Sequence, residues 1–151
     1  MEHPHYHLLV NHLPILLPAI GLCIMAGGLL LKSLPLQRTA LVLFVVAGLT
    51  AFMAHVSGEK AEHALKNYPE ISHERIEKHE EAAEPFTIIT YCLGIFAAIS
   101  FLVDLRKKFF ARYLIYLTTA IGLLSTYFSI QTGQTGGEIN HVEIRNESKE
   151  N

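Results

Sequence analysis

Cysteine is scarce in this chain, and what there is makes no reactive pattern. Cys23 and Cys92 form neither a CxxC motif nor a metal-ligand spacing, which removes the thiol-redox and zinc-ribbon classes. Each lies inside an apolar stretch and reads as a packed thiol, with nothing that calls for a disulfide between them. No nucleophile triad, phosphate-binding glycine loop or nucleic-acid patch is present, so the hydrolase, nucleotide and DNA- or RNA-binding readings fall away. Internal repeats and low-complexity segments are missing too. Charge is missing only in places: charged residues are 17% of the 151, yet four long stretches carry almost none.

Those four stretches decide the fold class. They run over about 8–31, 39–56, 85–103 and 113–130, in a chain that is 50% hydrophobic. A bilayer core of about 30 Å needs roughly 20 apolar residues in helix, so they read as membrane spans. The expectation is an all-α integral membrane four-helix bundle, one domain, with an outer helical loop over 57–84 and a polar tail over 131–151. The first stretch lacks a basic leader and a small-x-small cleavage site, so it is expected to stay as a span and not to be removed as a signal peptide.

Lysine and arginine orient the bundle. The connection after span one holds Lys32 and Arg38, and that after span three holds Arg106, Lys107, Lys108 and Arg112 against one acid. On the opposite side, 58–84 holds eight acids and four bases, and the tail from Gln131 holds four acids and two bases. The positive-inside rule places both basic loops in the cytoplasm and both termini outside, in the periplasm if the membrane is a bacterial inner membrane. All nine histidines then fall on the outer side: His3, His5, His7 and His12 at span one, His55 at span two, His63, His73 and His79 in the outer loop, and His141 in the tail.

Several local signals shape that outer side. Asn11 is a possible cap for a helix starting near His12 or Leu13, with Pro14 as an early-turn proline. Residues 59–67 read as one or two helical turns broken at Tyr68-Pro69, and Ser72 looks like the N-cap of a new helix. That helix carries Glu77, Glu80, Glu81 and Glu84 on one broad face and meets Pro85, where a kinked continuation would extend span three outward by about three turns. The run Gln131-Thr-Gly-Gln-Thr-Gly-Gly-Glu138 reads as a glycine-rich exit, with Gly133 in the left-handed position of a helix C-cap.

Depth narrows the histidines to a few. At the standard helical rise, His12 lies about 28 Å and His55 about 25 Å above the inner boundary, with His79 about 37 Å up a straight helix. Imidazoles from two helices at one depth can be the axial ligands of a b-type haem; Gly21, Gly48, Gly94 and Ala97 would either leave room for a flat macrocycle or serve close helix packing. The absence of histidine from the inner half excludes a second bis-histidine haem there. A non-haem metal is the alternative: His12, His55, His79, Glu81 and Glu84 could hold zinc, copper or iron. Glu70-x-x-His73 is half of a di-iron motif, one pair where a ferritin-like site needs two. Against both stands the plain reading of interfacial histidines as inexpensive surface residues, and of the glutamates as a solvated face.

The opening His3-Pro4 with Asn11-His12-Leu13-Pro14-Ile15 resembles the His-Pro and His-Phe-Pro-Ile pattern of a bacterial four-span family, domain of unknown function 2231. Ser57-Gly58-Glu59, His79-Glu80-Glu81-Ala82-Ala83 and Gly136-Gly137-Glu138 are similar to its later motifs, in order along the whole chain. Asn11 departs from the small apolar residue usual there. The resemblance implies the four-span topology, and a haem or redox-partner role suspected for some members. The combined expectation is a b-type cytochrome-like protein with haem b ligated by His12 with His55 or His79, and Glu81 and Glu84 as hydrogen-bond acceptors behind them. Its partners would be lipid, quinol, a respiratory complex or a second copy of itself. A metal-handling protein and an accessory subunit of a larger complex are the other readings.

Overall fold

The computed structural model describes residues 10–65, 73–107 and 109–140. Among them the chain forms four α-helices and no strand: α1 His12–Leu30, α2 Leu34–Leu65, α3 His73–Leu105 and α4 Ala111–Asn140. Each contains a window long and apolar enough to cross a membrane, and the chain is an all-α, multi-pass, four-helix membrane protein. α1 packs along α2, α2 along α3 and α3 along α4, and α4 closes the ring against α1. Short connections make such neighbours antiparallel. Both basic loops therefore meet at one end and the histidine-bearing segments at the other. At the basic end Arg38 Nε donates to Asp104 Oδ2 at 2.7 Å, joining α2 to α3.

The buried positions follow one spacing. On α1 they are Pro14, Pro18, Gly21, Met25 and Gly28. On α4 they are Ala111, Ile115, Thr118, Gly122, Ser125, Ser129 and Thr132. On α3 the same alternation of four and three runs through Phe86, Thr90, Leu93, Ala97 and Ser100. This is the heptad seam of a left-handed bundle. Small and hydroxylated residues share it with a few large ones, Met25, Leu41, Phe44, Phe86, Leu93 and Ile115, while residues such as Leu16, Ile20, Leu49, Phe52, Ile95, Leu123 and Ile130 face outward, where a bilayer supplies lipid. Cys23 and Cys92 lie off the seam on that outer surface, unpaired; the packed thiols expected from their depth are lipid-facing because depth does not fix which side of a helix a residue occupies.

Three close approaches set how the helices sit. Gly48 on α2 meets Gly94 on α3, where an added Cβ would lie 3.0 Å from the opposite Cα. The fully buried Phe44 ring fills the space beside Gly21, at 2.5 Å from a Cβ there, and beside Gly122, at 3.3 Å. Hydroxyl pairs stitch α3 to α4: Thr90 to Ser125 at 2.9 Å and Ser100 to Thr118 at 2.8 Å. In lipid each such interhelical bond contributes about 0.6 kcal/mol, up to about 1.7.

The helix ends differ from the sequence expectations at three points. Asn11 does not cap α1: its backbone is right-handed helical, its side chain makes no capping bond, and its buried Oδ1 has no hydrogen-bond partner. α2 runs without interruption to Leu65, while the Tyr68-Pro69 break and the Ser72 cap lie outside the described residues. α4 does not end at Gly133: it continues to Asn140, and no glycine has positive φ among the described residues. The left-handed residues are instead Lys32 and Lys107, both at φ 51°, in the two basic turns. Lys32 closes a Schellman motif, with Ser33 N–H on the Gly28 carbonyl at 2.9 Å and Lys32 N–H on that of Leu29 at 3.3 Å.

The Gly48–Gly94 contact leaves no room for a side chain, whereas a Cβ at Gly27 meets nothing within 4 Å. Gly94→Leu is expected to destabilise the bundle by about 2–3 kcal/mol through overpacking. Gly27→Ala should leave stability unchanged or raise it by up to about 1 kcal/mol through helix propensity. Unfolding of the two variants in detergent micelles checks both.

Candidate functional site

The histidine-bearing end is built by helices longer than a bilayer core needs. α3 starts at His73 and passes Pro85 unbroken, as the expected continuation of span three requires. Pro85 removes the backbone donor that would serve the Glu81 carbonyl. One residue further, the Thr132 hydroxyl of α4 is shared between its own Phe128 carbonyl at 3.1 Å and the Ala82 carbonyl of α3 at 3.0 Å, tying the α3 extension to α4.

Above Thr132 the two extensions are clasped by His79. Thr135 Oγ1 donates back to the carbonyls of Gln131 and Thr132, at 3.2 and 3.1 Å. The same oxygen is hydrogen-bonded to His79 Nδ1 at 3.0 Å, the donor being set by the His79 tautomer. The His79 ring lies over Gly136, its Cε1 3.1 Å from where a Cβ would be. One step further out Lys78 Nζ meets Glu138 Oε2 at 3.3 Å. Two glycines of 131–138 are therefore contact positions within a helix: Gly136 admits an imidazole and Gly133 faces Ile15 of α1.

His55 is engaged differently. On α2, its Nδ1 lies 3.0 Å from the Tyr91 hydroxyl of α3, and its Nε2 is 3.5 Å from Glu59 Oε1 one turn further along α2. The His55 side chain is 50% exposed and that of Glu59 68%. Phe52 packs at 6.5 Å from the Tyr91 ring and His55 at 6.3 Å. A Glu–His–Tyr chain of this kind can orient an imidazole, fix which nitrogen carries its proton, or relay a proton between a phenol and a surface carboxylate.

His12, the first residue of α1, is exposed. The α1–α2 register given by Gly28 against Gln37 and Gly21 against Phe44, carried outward, sets His12 opposite Met53, two residues from His55. The two histidines thus share a level, while His55 and His79 are held in separate contacts, one at the α2–α3 groove and one between α3 and α4. Glu81 and Glu84 are exposed on the α3 extension. Among the described residues no three His, Cys, Asp or Glu side chains are grouped to hold a metal ion. His3, His5, His7, Glu70 and His141 lie outside the described residues, as does the His63 side chain. The small residues Gly21, Gly48, Gly94 and Ala97 serve packing: Phe44 occupies the first, the next two touch each other, and Ala97 is fully buried in the core.

Sequence reading missed Tyr91 and Thr135 as partners of the two histidines. Tyr91 was open to the depth reasoning that levelled His12 with His55: it lies about 20 Å above the inner boundary, and a tyrosine reaching outward spans the remaining distance to His55. Thr135 was hidden because its segment read as a helix exit. No family model, curated protein or solved structure matches this chain.

Gly136→Leu is expected to push the His79 ring aside and open the clasp. Backbone amide exchange should rise at 73–84 and 131–138 while the seam from Phe86 to Ser100 stays protected. His79→Ala should raise exchange in the same two segments, and adding Gly136→Leu to it should raise exchange little further, because both act on one contact.

Proposed function

We propose that the protein is an electron-transfer or redox-partner protein of a bacterial inner membrane, with its site at the histidine-bearing, periplasmic end. The observation that carries this reading is the state of His55: its Nδ1 is held by Tyr91, and its Nε2 lies on a half-exposed ring 3.5 Å from Glu59 Oε1, at the level of His12. A ligating histidine has one nitrogen oriented by a hydrogen bond and the other on the ligand; His55 would take this form with Nδ1–H donating to the Tyr91 hydroxyl and Nε2 turned from Glu59 to the ligand. His12 and His55 would hold haem b, which supplies a one-electron couple. The packed seam argues for a seat at the outer mouth of the bundle, above the Gly48–Gly94 contact, and not between the spans. His79, fixed by Thr135, shapes the rim. Quinol or a respiratory complex would be the redox partner, reached from the membrane or from its outer surface. The basic turns with Lys32, Arg38, Arg106, Lys107 and Arg112 support the orientation by the positive-inside rule; the resemblance to the four-span family of unknown function points the same way.

One observation favours a second reading, a metal-handling protein: the Glu59 carboxylate beside His55 Nε2 is a ready second ligand for zinc, copper or iron.

Purified protein from haem-replete cells should show a Soret band that shifts on dithionite reduction. His12→Ala and His55→Ala should abolish it, and Tyr91→Phe should keep the band while weakening haem affinity by about 10-fold or more. A wild-type protein without a Soret band, or one whose band survives both histidine substitutions, overturns the haem assignment. Stoichiometric zinc, copper or iron in protein made without a His tag would then select the second reading.

A further inference from the structure

At the basic end of the bundle, far from the histidines, a groove of about 370 Å³ runs between α2 and α3, lined by Arg38, Thr39, Val42, Leu43, Phe101 and Leu105. Its walls are apolar and its mouth is cationic. From Arg38 to Leu43 it descends about 7.5 Å into the membrane, the depth of the first few methylenes of an acyl chain. Arg38 at the mouth is held in place: Nε is committed to Asp104 at 2.7 Å, and the Asp104 side chain is only 12% exposed while that of Arg38 is 36% exposed. The two Nη groups are the remaining donors of a guanidinium that the carboxylate orients, and guanidinium groups match phosphate oxygens in fork geometry. Lys32, Arg106, Lys107 and Arg112 at the same end add positive charge, and Thr39 offers a hydroxyl beside Arg38.

We infer that this groove is a binding site for one anionic phospholipid, its phosphate on Arg38 and Thr39 and the start of an acyl chain between Val42, Leu43, Phe101 and Leu105. Topology alone accounts for basic loops, but it does not call for an arginine fixed by a nearly buried carboxylate at the head of an apolar groove. Headgroup charge complements the site, and apolar depth selects a lipid over a free phosphate. The occupied groove also joins α2 to α3 at the end opposite the His55–Tyr91 bond, so lipid would brace that helix pair.

Native mass spectrometry of the full-length protein, titrated with phosphatidylglycerol, phosphatidylcholine or glycerol 3-phosphate, tests this directly. One phosphatidylglycerol should be retained at least about fivefold more tightly than phosphatidylcholine, the worth of one cation near an anionic headgroup, and glycerol 3-phosphate should neither bind nor compete. Arg38→Gln should erase the preference. Val42→Trp, which fills the groove and leaves the Arg38–Asp104 pair intact, should lose retention, whereas Leu123→Trp on the outer surface of α4 should not. Equal retention of the two lipids, competition by glycerol 3-phosphate, or undiminished binding to Val42→Trp would overturn the assignment.

Discussion

Leucine on the outside of this bundle loses nothing by facing lipid, so apolar burial gives the helices little reason to associate. Close approach and interhelical hydrogen bonding must hold them together instead, and both need small or hydroxylated residues at the seam. The chain supplies these at a regular heptad spacing. Gly48 against Gly94 brings two backbones to the limit of contact, and Gly21 and Gly122 receive the Phe44 ring. Two hydroxyl pairs link α3 to α4 within the membrane. The other features depend on this register. It levels His12 with His55, sets Tyr91 under His55, and carries α3 and α4 side by side beyond the membrane.

Among the described residues, charge gathers at the two ends. The basic end is closed by two tight turns through left-handed lysines and by the Arg38–Asp104 pair. At the opposite end α3 and α4 continue outward and are joined by His79 to Thr135 and Lys78 to Glu138. A basic end joined by tight turns and an extended end that carries imidazoles give the molecule its direction. The proposed redox site and the proposed lipid site sit at opposite ends of the α2–α3 pair.

Much of the fold was legible in the sequence because length and hydropathy are strong signals in a bilayer. The four spans and their ring of antiparallel neighbours follow from them. The helix ends were not. Gly133 and Gly136 read as an exit because glycine weakens isolated helices, but in the bundle Gly136 is where the His79 ring sits, and tertiary contact overrides propensity. Asn11 read as a cap from residue type alone, although its backbone is already helical. In the candidate site, His55 and His79 stood out by type and side, but not what each touches. Tyr91 and Thr135 come from other helices, and only the register connects them. Gly21, Gly48, Gly94 and Ala97 fitted a cofactor pocket or helix packing equally well in sequence; the distances assign them to packing.

The register is also the claim most open to direct measurement. In a background with Cys23 and Cys92 replaced by alanine, cysteines are placed at the two hydroxyl pairs, whose oxygens lie 2.9 and 2.8 Å apart, and oxidation is followed in membranes. Thr90→Cys with Ser125→Cys, and Ser100→Cys with Thr118→Cys, should each close an intramolecular disulfide under mild oxidant. The mismatched pair Thr90→Cys with Thr118→Cys should stay reduced. Failure of both matched pairs, or closure of the mismatched pair at a comparable rate, would contradict the register and the outer-end geometry that depends on it.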